Sequence, residues 1–101
     1  MKNLLNSIFG RSEDTTITDV LTQGAVLIDV RSAGEFAGGH AAGAINIPLD
    51  ELDRKSGQIK SYQKPIVLCC ASGMRSARAK ALLTGKGIPD LYDAGSWRNL
   101  K

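Results

Sequence analysis

The stretch that most limits what this chain can become runs from Lys64 to Leu83: Lys-Pro-Ile-Val-Leu-Cys-Cys-Ala-Ser-Gly-Met-Arg-Ser-Ala-Arg-Ala-Lys-Ala-Leu-Leu. After Pro65 comes an apolar run too short to make a helix of its own, and it reads as a buried strand. The stretch ends in an Ala-, Leu- and Lys-rich segment of high helix propensity. Cys70, the Ser72-Gly73 pair and Arg75 lie between the two. The pattern is a strand, a tight loop and a helix start.

Such a junction makes an anion cradle. The first turn of a helix has four N–H groups without an intrahelical partner, and the macrodipole puts roughly half a positive charge there. Gly73 lets the loop curl so that successive amides point inward. Arg75 adds a permanent charge and a rigid fork of donors. A cysteine at the centre of that ring is expected as the thiolate, because helix N-termini and neighbouring arginines lower a Cys pKa from about 8.5 to roughly 3.5–7.5. Cys70 is therefore the candidate nucleophile. The amides after it are candidates to hold an anionic substrate or a charged intermediate. Cys69 reads as a small core hydrophobe.

Cys70-Ala71-Ser72-Gly73-Met74-Arg75 resembles the six-residue active-site loop of single-domain rhodaneses, the thiosulfate sulfurtransferases. Leu27-Ile28-Asp29-Val30-Arg31 with Glu35-Phe36 resembles that family's first signature, and Gly39-His40-Ala41-Ala42-Gly43-Ala44-Ile45-Asn46-Ile47-Pro48 its second. Asp93-Ala94-Gly95-Ser96-Trp97 matches its closing stretch, and the likeness runs from Thr16 to Leu100. Ala41 departs from the pattern, since a larger apolar residue usually follows this His. The resemblance implies an α/β, rhodanese-like fold: a mostly parallel central sheet of about five strands with helices on both faces. It implies sulfur transfer from a small anionic donor such as thiosulfate, through a persulfide on Cys70, to cyanide or a thiol, a thioredoxin-like protein among the acceptors. In that chemistry the amides of Ala71, Ser72, Gly73, Met74, Arg75 and Ser76 hold the charged persulfide. Arg75 supplements the field or braces the loop. Ser72 donates a hydrogen bond or shapes the turn. The cysteine itself carries the group, so no cofactor is expected.

Composition narrows the surroundings. A chain of 101 residues fits one domain, here read as a short lead-in over residues 1–14 and a rhodanese-like domain over 15–101. Hydrophobic content of 43% and charge of 23% are ordinary for a soluble globular protein, and no apolar run approaches a membrane span. The net charge of +3 is spread among acids without a dense basic run. That excludes a nucleic-acid footprint and suits small anions. The two cysteines are adjacent and bridge only through a strained ring, so they are no disulfide staple. One His and no metal-ligand spacing lead to no expected metal. A reactive free thiol suits a reducing compartment, hence the cytoplasm. Met1 to Gly10, its apolar residues broken by Asn6 and Ser7, is too weak for a secretory signal.

Along the chain, Thr15 to Leu21 predicts a capped short helix ended by Gly24. Ala25 to Val30 predicts a buried strand with Asp29 near its carboxyl end. That carboxylate needs a partner, either loop amides or an Arg, or else it tunes the field around Cys70. Ser32 and Glu35 have capping-box spacing. Gly38, Gly39 and Gly43 make a bend around His40, which pins it or serves as a general acid. Ala44 to Ile47 predicts a strand and Leu49 to Leu52 a short helix. Arg54 to Lys64 predicts a surface connection with a turn or two of helix. The helix after the loop is expected over Ser76 to Thr84, packing through Ala77, Ala81 and Leu82, with Arg78, Lys80 and Lys86 facing water. Leu91-Tyr92 predicts a last strand, then a Gly-rich turn into a helix whose Trp97 caps the core or walls the pocket. Ligands of a parallel sheet sit beyond the carboxyl ends of its strands, so Asp29, Arg31 and Cys70 are expected on one face.

Two other functions compete. Five residues separate Cys69 from Arg75, the spacing of cysteine-dependent phosphatases and some arsenate reductases, and the cell-cycle dual-specificity phosphatases share the rhodanese fold. Leu68 stands where those enzymes usually have His. Neighbours on a strand point to opposite faces, so only one of the two cysteines occupies the loop centre. The third reading is a non-catalytic rhodanese-like binding module.

Overall fold

The run expected as the reactive strand is β3, Ile66–Cys70, and every residue of it is buried. It pairs in parallel with β1 (Val26–Asp29) on one side and β4 (Leu91–Ser96) on the other. A two-residue strand, β2 (Ile45–Asn46), continues the sheet beyond β1. The structure, a computed structural model, describes residues 13–100; of the lead-in expected over residues 1–14, residues 1–12 lie outside them and residues 13 and 14 already belong to a helix. Among the described residues the sheet has four parallel strands in the order β2-β1-β3-β4, one fewer than expected.

The two-residue period of a strand splits the core into two layers. Ile28, Val30, Ile66, Leu68 and Cys70 point to one face, under α3 (Leu52–Ser61) and α4 (Met74–Gly85). Leu27, Val67, Cys69 and Ala94 point to the other, under α1 (Glu13–Thr22) and the terminal 3-10 turn Trp97–Asn99. Helices cover both faces, and sheet strands buried on both sides read as continuous apolar runs.

Local chemistry accounts for the joints. α1 stops where Gly24 takes φ +105°, and Ala25 N–H then bonds the Val20 carbonyl at 3.0 Å, a six-to-one closure that needs a left-handed residue. α2 (Ala33–Ala37) starts on the expected capping box: Ser32 accepts from Glu35 N–H, and Glu35 accepts from Ser32 N–H.

Arg54 to Lys64 carries the expected two turns of helix as most of α3, because Leu52 and Ile59 are seven apart and both fully buried. Two expectations are corrected. Helix α4 begins at Met74 rather than Ser76, and buries Ser76, Ala79 and Leu83 while Ala77 and Ala81 face water. The inward stripe is thus set by Ser76, which is turned toward the loop. The Gly-rich turn expected at Asp93 to Ser96 is strand: a bulge at Ala94, with Gly95 at φ +74°, lets Gly95 and Ser96 keep pairing with Cys69 and Cys70.

Candidate active site

β3 ends at Cys70, and after three intervening residues the chain is helical from Met74. The reversal is made by Gly73, whose φ of +108° sits at the N-cap of α4. That conformation is strained for any residue with a Cβ. The result is a ring of donors around one sulfur. Gly73 N–H reaches Cys70 Sγ at 2.9 Å and Ser76 N–H reaches it at 3.3 Å. Ser76 Oγ lies 3.4 Å from the same sulfur. Cys70 itself is fully buried, at the bottom of a cradle whose rim carries exposed Ser72 and Met74.

Burial alone pushes the Cys70 thiol up. The Ser76 hydroxyl and the amides of Ser76, Gly73 and Ser72 outweigh it, and the net direction is down. Cys69 has no such ring. Burial first, then the Asp29 charge, push its thiol up to about 12. Its sulfur packs in the opposite core layer with Ile17, Leu27 and Val67.

Arg75 does not lie over the sulfur as a bare charge. Its guanidinium grips Glu35 with two bonds, Nη1 to Oε1 at 2.7 Å and Nη2 to Oε2 at 3.0 Å. Glu35 thereby joins α2 to the first turn of α4, and its carboxyl is held down to about 2, mainly by Arg75 and then by Ser32. Sequence reasoning placed Glu35 in the capping box and in the first family signature, and assigned it no contact with Arg75. The signal for its second role is positional: both residues follow the carboxyl ends of strands that turn out to be neighbours.

The remaining candidates brace the same end of the sheet. Asp29 is fully buried and accepts Arg31 N–H at 3.0 Å and Arg31 Nη2 at 2.8 Å. This is the loop-amide and Arg bonding expected of it. The Arg31 guanidinium also donates to the Gly39 carbonyl at 2.7 Å and stacks on Trp97 at 4.7 Å. Trp97 belongs to the core layer under Cys69. His40 donates Nδ1–H to the Phe36 carbonyl at 2.7 Å and stacks on the Phe36 ring at 3.7 Å. It is exposed and pins the bend. A groove of about 680 Å³ runs beside the first half of β1, lined by Leu21, Ala25, Ala41 and Ile45, with no residue of the Cys70–Ser76 loop in its walls. It is separate from the cysteine cradle.

A buried cysteine at the carboxyl end of a central parallel strand, ringed by the amides of a helix start, defines a class that comparison with known proteins identifies. The chain belongs to the rhodanese-like domain family, whose profile matches residues 14–99. It is 44% identical over 69 residues to the uncharacterized protein YqhL of Bacillus subtilis, covering 68% of this chain and 54% of that one. It is 34% identical over 70 residues to the thiosulfate sulfurtransferase GlpE of Pseudomonas savastanoi, covering 69% and 65%. The chain thus spans less than two thirds of these relatives' own lengths. Among solved structures it resembles a human single-domain sulfurtransferase, with a TM-score of 0.69 and 30% identity over 83% of this chain and 88% of that one.

Proposed function

We propose that this chain is a sulfurtransferase that carries sulfane sulfur on Cys70. The observation that supports it most is the ring of donors on one buried sulfur, with Gly73 N–H at 2.9 Å and Ser76 N–H at 3.3 Å. Such a ring favours a thiolate, and equally a persulfide anion of the same charge. In the first half-reaction the Cys70 thiolate attacks the outer sulfur of thiosulfate. A sulfur–sulfur bond forms, the old one breaks, and sulfite leaves with the electron pair. The persulfide anion then sits among the amides from Ala71 to Ser76. In the second half-reaction an acceptor attacks the terminal sulfur and Cys70 leaves as thiolate. Cyanide gives thiocyanate; a thiol, that of a thioredoxin-like protein included, gives a new persulfide. The relatives' names support the activity class, and thiosulfate is the donor named for GlpE. No helix among the described residues is long and apolar enough to cross a membrane. The cytoplasm, which keeps thiols reduced, is the compartment proposed.

Phosphatase chemistry at Cys69 finds no support in the geometry, because that thiol is held protonated on the far side of the sheet. A binding module has no use for a buried sulfur served by two amides. The test is steady-state kinetics with thiosulfate and cyanide varied together. A carrier that is loaded and then unloaded gives parallel double-reciprocal lines. Intersecting lines would mean that both substrates bind at once, and would reject the persulfide route.

A further inference from the structure

Ser76 holds a position that its backbone role does not explain. It is the third residue of α4 and fully buried. Its amide already serves the sulfur. Its hydroxyl sits between two partners of different kind: Cys70 Sγ at 3.4 Å and the Gly73 carbonyl oxygen at 3.2 Å. A hydroxyl has one proton to give and lone pairs to accept with. When Cys70 is a thiol, S–H can donate to Ser76 Oγ, and the hydroxyl then donates onward to Gly73. When the sulfur is negative it has nothing to donate and only accepts. The hydroxyl proton then has a better acceptor on the other side. Turning costs little at the carbonyl, because Gly73 C=O also accepts Ala77 N–H at 3.1 Å and is not left unpaired.

We infer that the Ser76 hydroxyl is a two-position donor, whose proton turns from the Gly73 carbonyl to the Cys70 sulfur when that sulfur carries negative charge. The proton lost by the thiol goes to solvent; the hydroxyl keeps its own and only rotates. The thiolate thus gains a third hydrogen bond that the thiol does not receive, and a bond present in one protonation state alone shifts the equilibrium between them. The two amides cannot be turned away in this fashion, since the backbone fixes them in both states. Ser76 is therefore the adjustable member of the ring. During turnover its proton is aimed at sulfur in the free thiolate and released when Cys70 becomes the neutral inner sulfur of a persulfide. This inference rests on the sulfurtransferase reading for its place in the cycle, and on the geometry alone for its effect on the thiol.

The experiment is the pH dependence of iodoacetamide alkylation of Cys70, located by peptide mass, in the full chain. The variants are Ser76→Ala and Ser76→Thr. A hydrogen bond to a charged group is among the stronger kinds. Its loss should move the midpoint up by about one pH unit or more. At pH values below both midpoints the Ala variant should label about threefold more slowly, the smaller thiolate fraction being partly offset by the higher nucleophilicity of a more basic thiolate. Above its own midpoint it should label at least as fast as wild type, because a more basic thiolate is the better nucleophile. Ser76→Thr keeps the hydroxyl and should keep the wild-type midpoint. A serine that only fills space would change the melting temperature and leave the midpoint where it was; an unchanged midpoint in Ser76→Ala overturns the inference. Alkylation needs no sulfur donor, so the two readings fail separately. A shifted midpoint without sulfur transfer would reject the enzyme activity and keep Ser76, whereas sulfur transfer with an unshifted midpoint would do the reverse.

Discussion

Cys69 and Cys70 share a peptide bond and are driven in opposite directions by their surroundings. Both are fully buried, so desolvation pushes both thiols up. Cys70 faces the start of α4 and is carried down by the Ser76 hydroxyl and three amides. Cys69 faces the layer of Ile17 and Leu27, with the Asp29 charge nearby, and rises to about 12. Stability follows with a definite sign. A thiol raised in the folded state contributes stability below its unfolded value of 9.0 and loses it as pH climbs toward about 12. By pH 10.5 about 2 kcal/mol should be gone from this group. Urea midpoints at pH 8 and pH 10.5 measure it. Cys69→Ala should fall less between the two than wild type, and equal falls would contradict the placement of Cys69. The Cys70 contribution has the opposite sign: it is present above 9.0 and is lost as pH falls through the lowered folded value.

At the scale of elements, the site is a junction of two helix starts held by one ion pair. α2 and α4 both begin at the carboxyl end of the sheet, and Glu35 with Arg75 ties them across forty positions of sequence. The pair compensates the Arg75 charge, so the anion-holding capacity of the loop rests on its amides. Glu35→Gln should leave the melting temperature nearly unchanged, since exposed ion pairs contribute little. It should raise the KM for thiosulfate severalfold with a smaller change in kcat, because the loop loses its brace. An unchanged KM would show that α2 does not position the loop. The wild-type pair should persist from neutral pH well into acid. A carboxyl lowered from its ordinary 4.5 to about 2 keeps its charge into acid, and the small stability this exposed pair contributes above 4.5 is lost progressively as pH falls from 4.5 through about 2. What could be read in the sequence sorts by range. The turn at Gly73, the capping box at Ser32 and Glu35 and the end of α1 at Gly24 are local chemistry, and the chain displays them. The helical phase of α4 and the bulge at Ala94 depend on neighbours: one on Ser76 meeting the Cys70 sulfur, the other on the register with β3. The Glu35–Arg75 pair required knowing that β1 lies beside β3, which no local pattern encodes.

At the scale of the molecule, one buried ion pair fastens the carboxyl end of the sheet to the Gly39 bend and to Trp97 in the core layer of Cys69. Asp29 ends β1, holds Arg31, and Arg31 reaches Gly39 and Trp97. Asn46 adds bonds to the Asp29 and Arg31 carbonyls at 3.0 and 2.9 Å, closing the edge at β2. Asp29→Ala would leave the Arg31 charge buried without its carboxylate, a loss of about 3–5 kcal/mol. That is a large share of the roughly 5–15 kcal/mol of an ordinary domain. Its urea midpoint should drop sharply, and a small drop would mean that water reaches Arg31. The gathering of Asp29, Arg31 and Cys70 at one end follows from parallel strands alone, which is why it was legible without coordinates. That Cys69 and Cys70 face opposite core layers was legible too, as strand alternation separates neighbours. In the proposed cycle sulfur is carried on Cys70. Intact-protein mass spectrometry after incubation with thiosulfate, without reductant, tests it most directly on wild type, Cys69→Ala and Cys70→Ser. The expected result is a gain of one sulfur atom in wild type and in Cys69→Ala, removed by cyanide, and no gain in Cys70→Ser. Loading that survives in Cys70→Ser, or is lost in Cys69→Ala, would contradict Cys70 as the carrier.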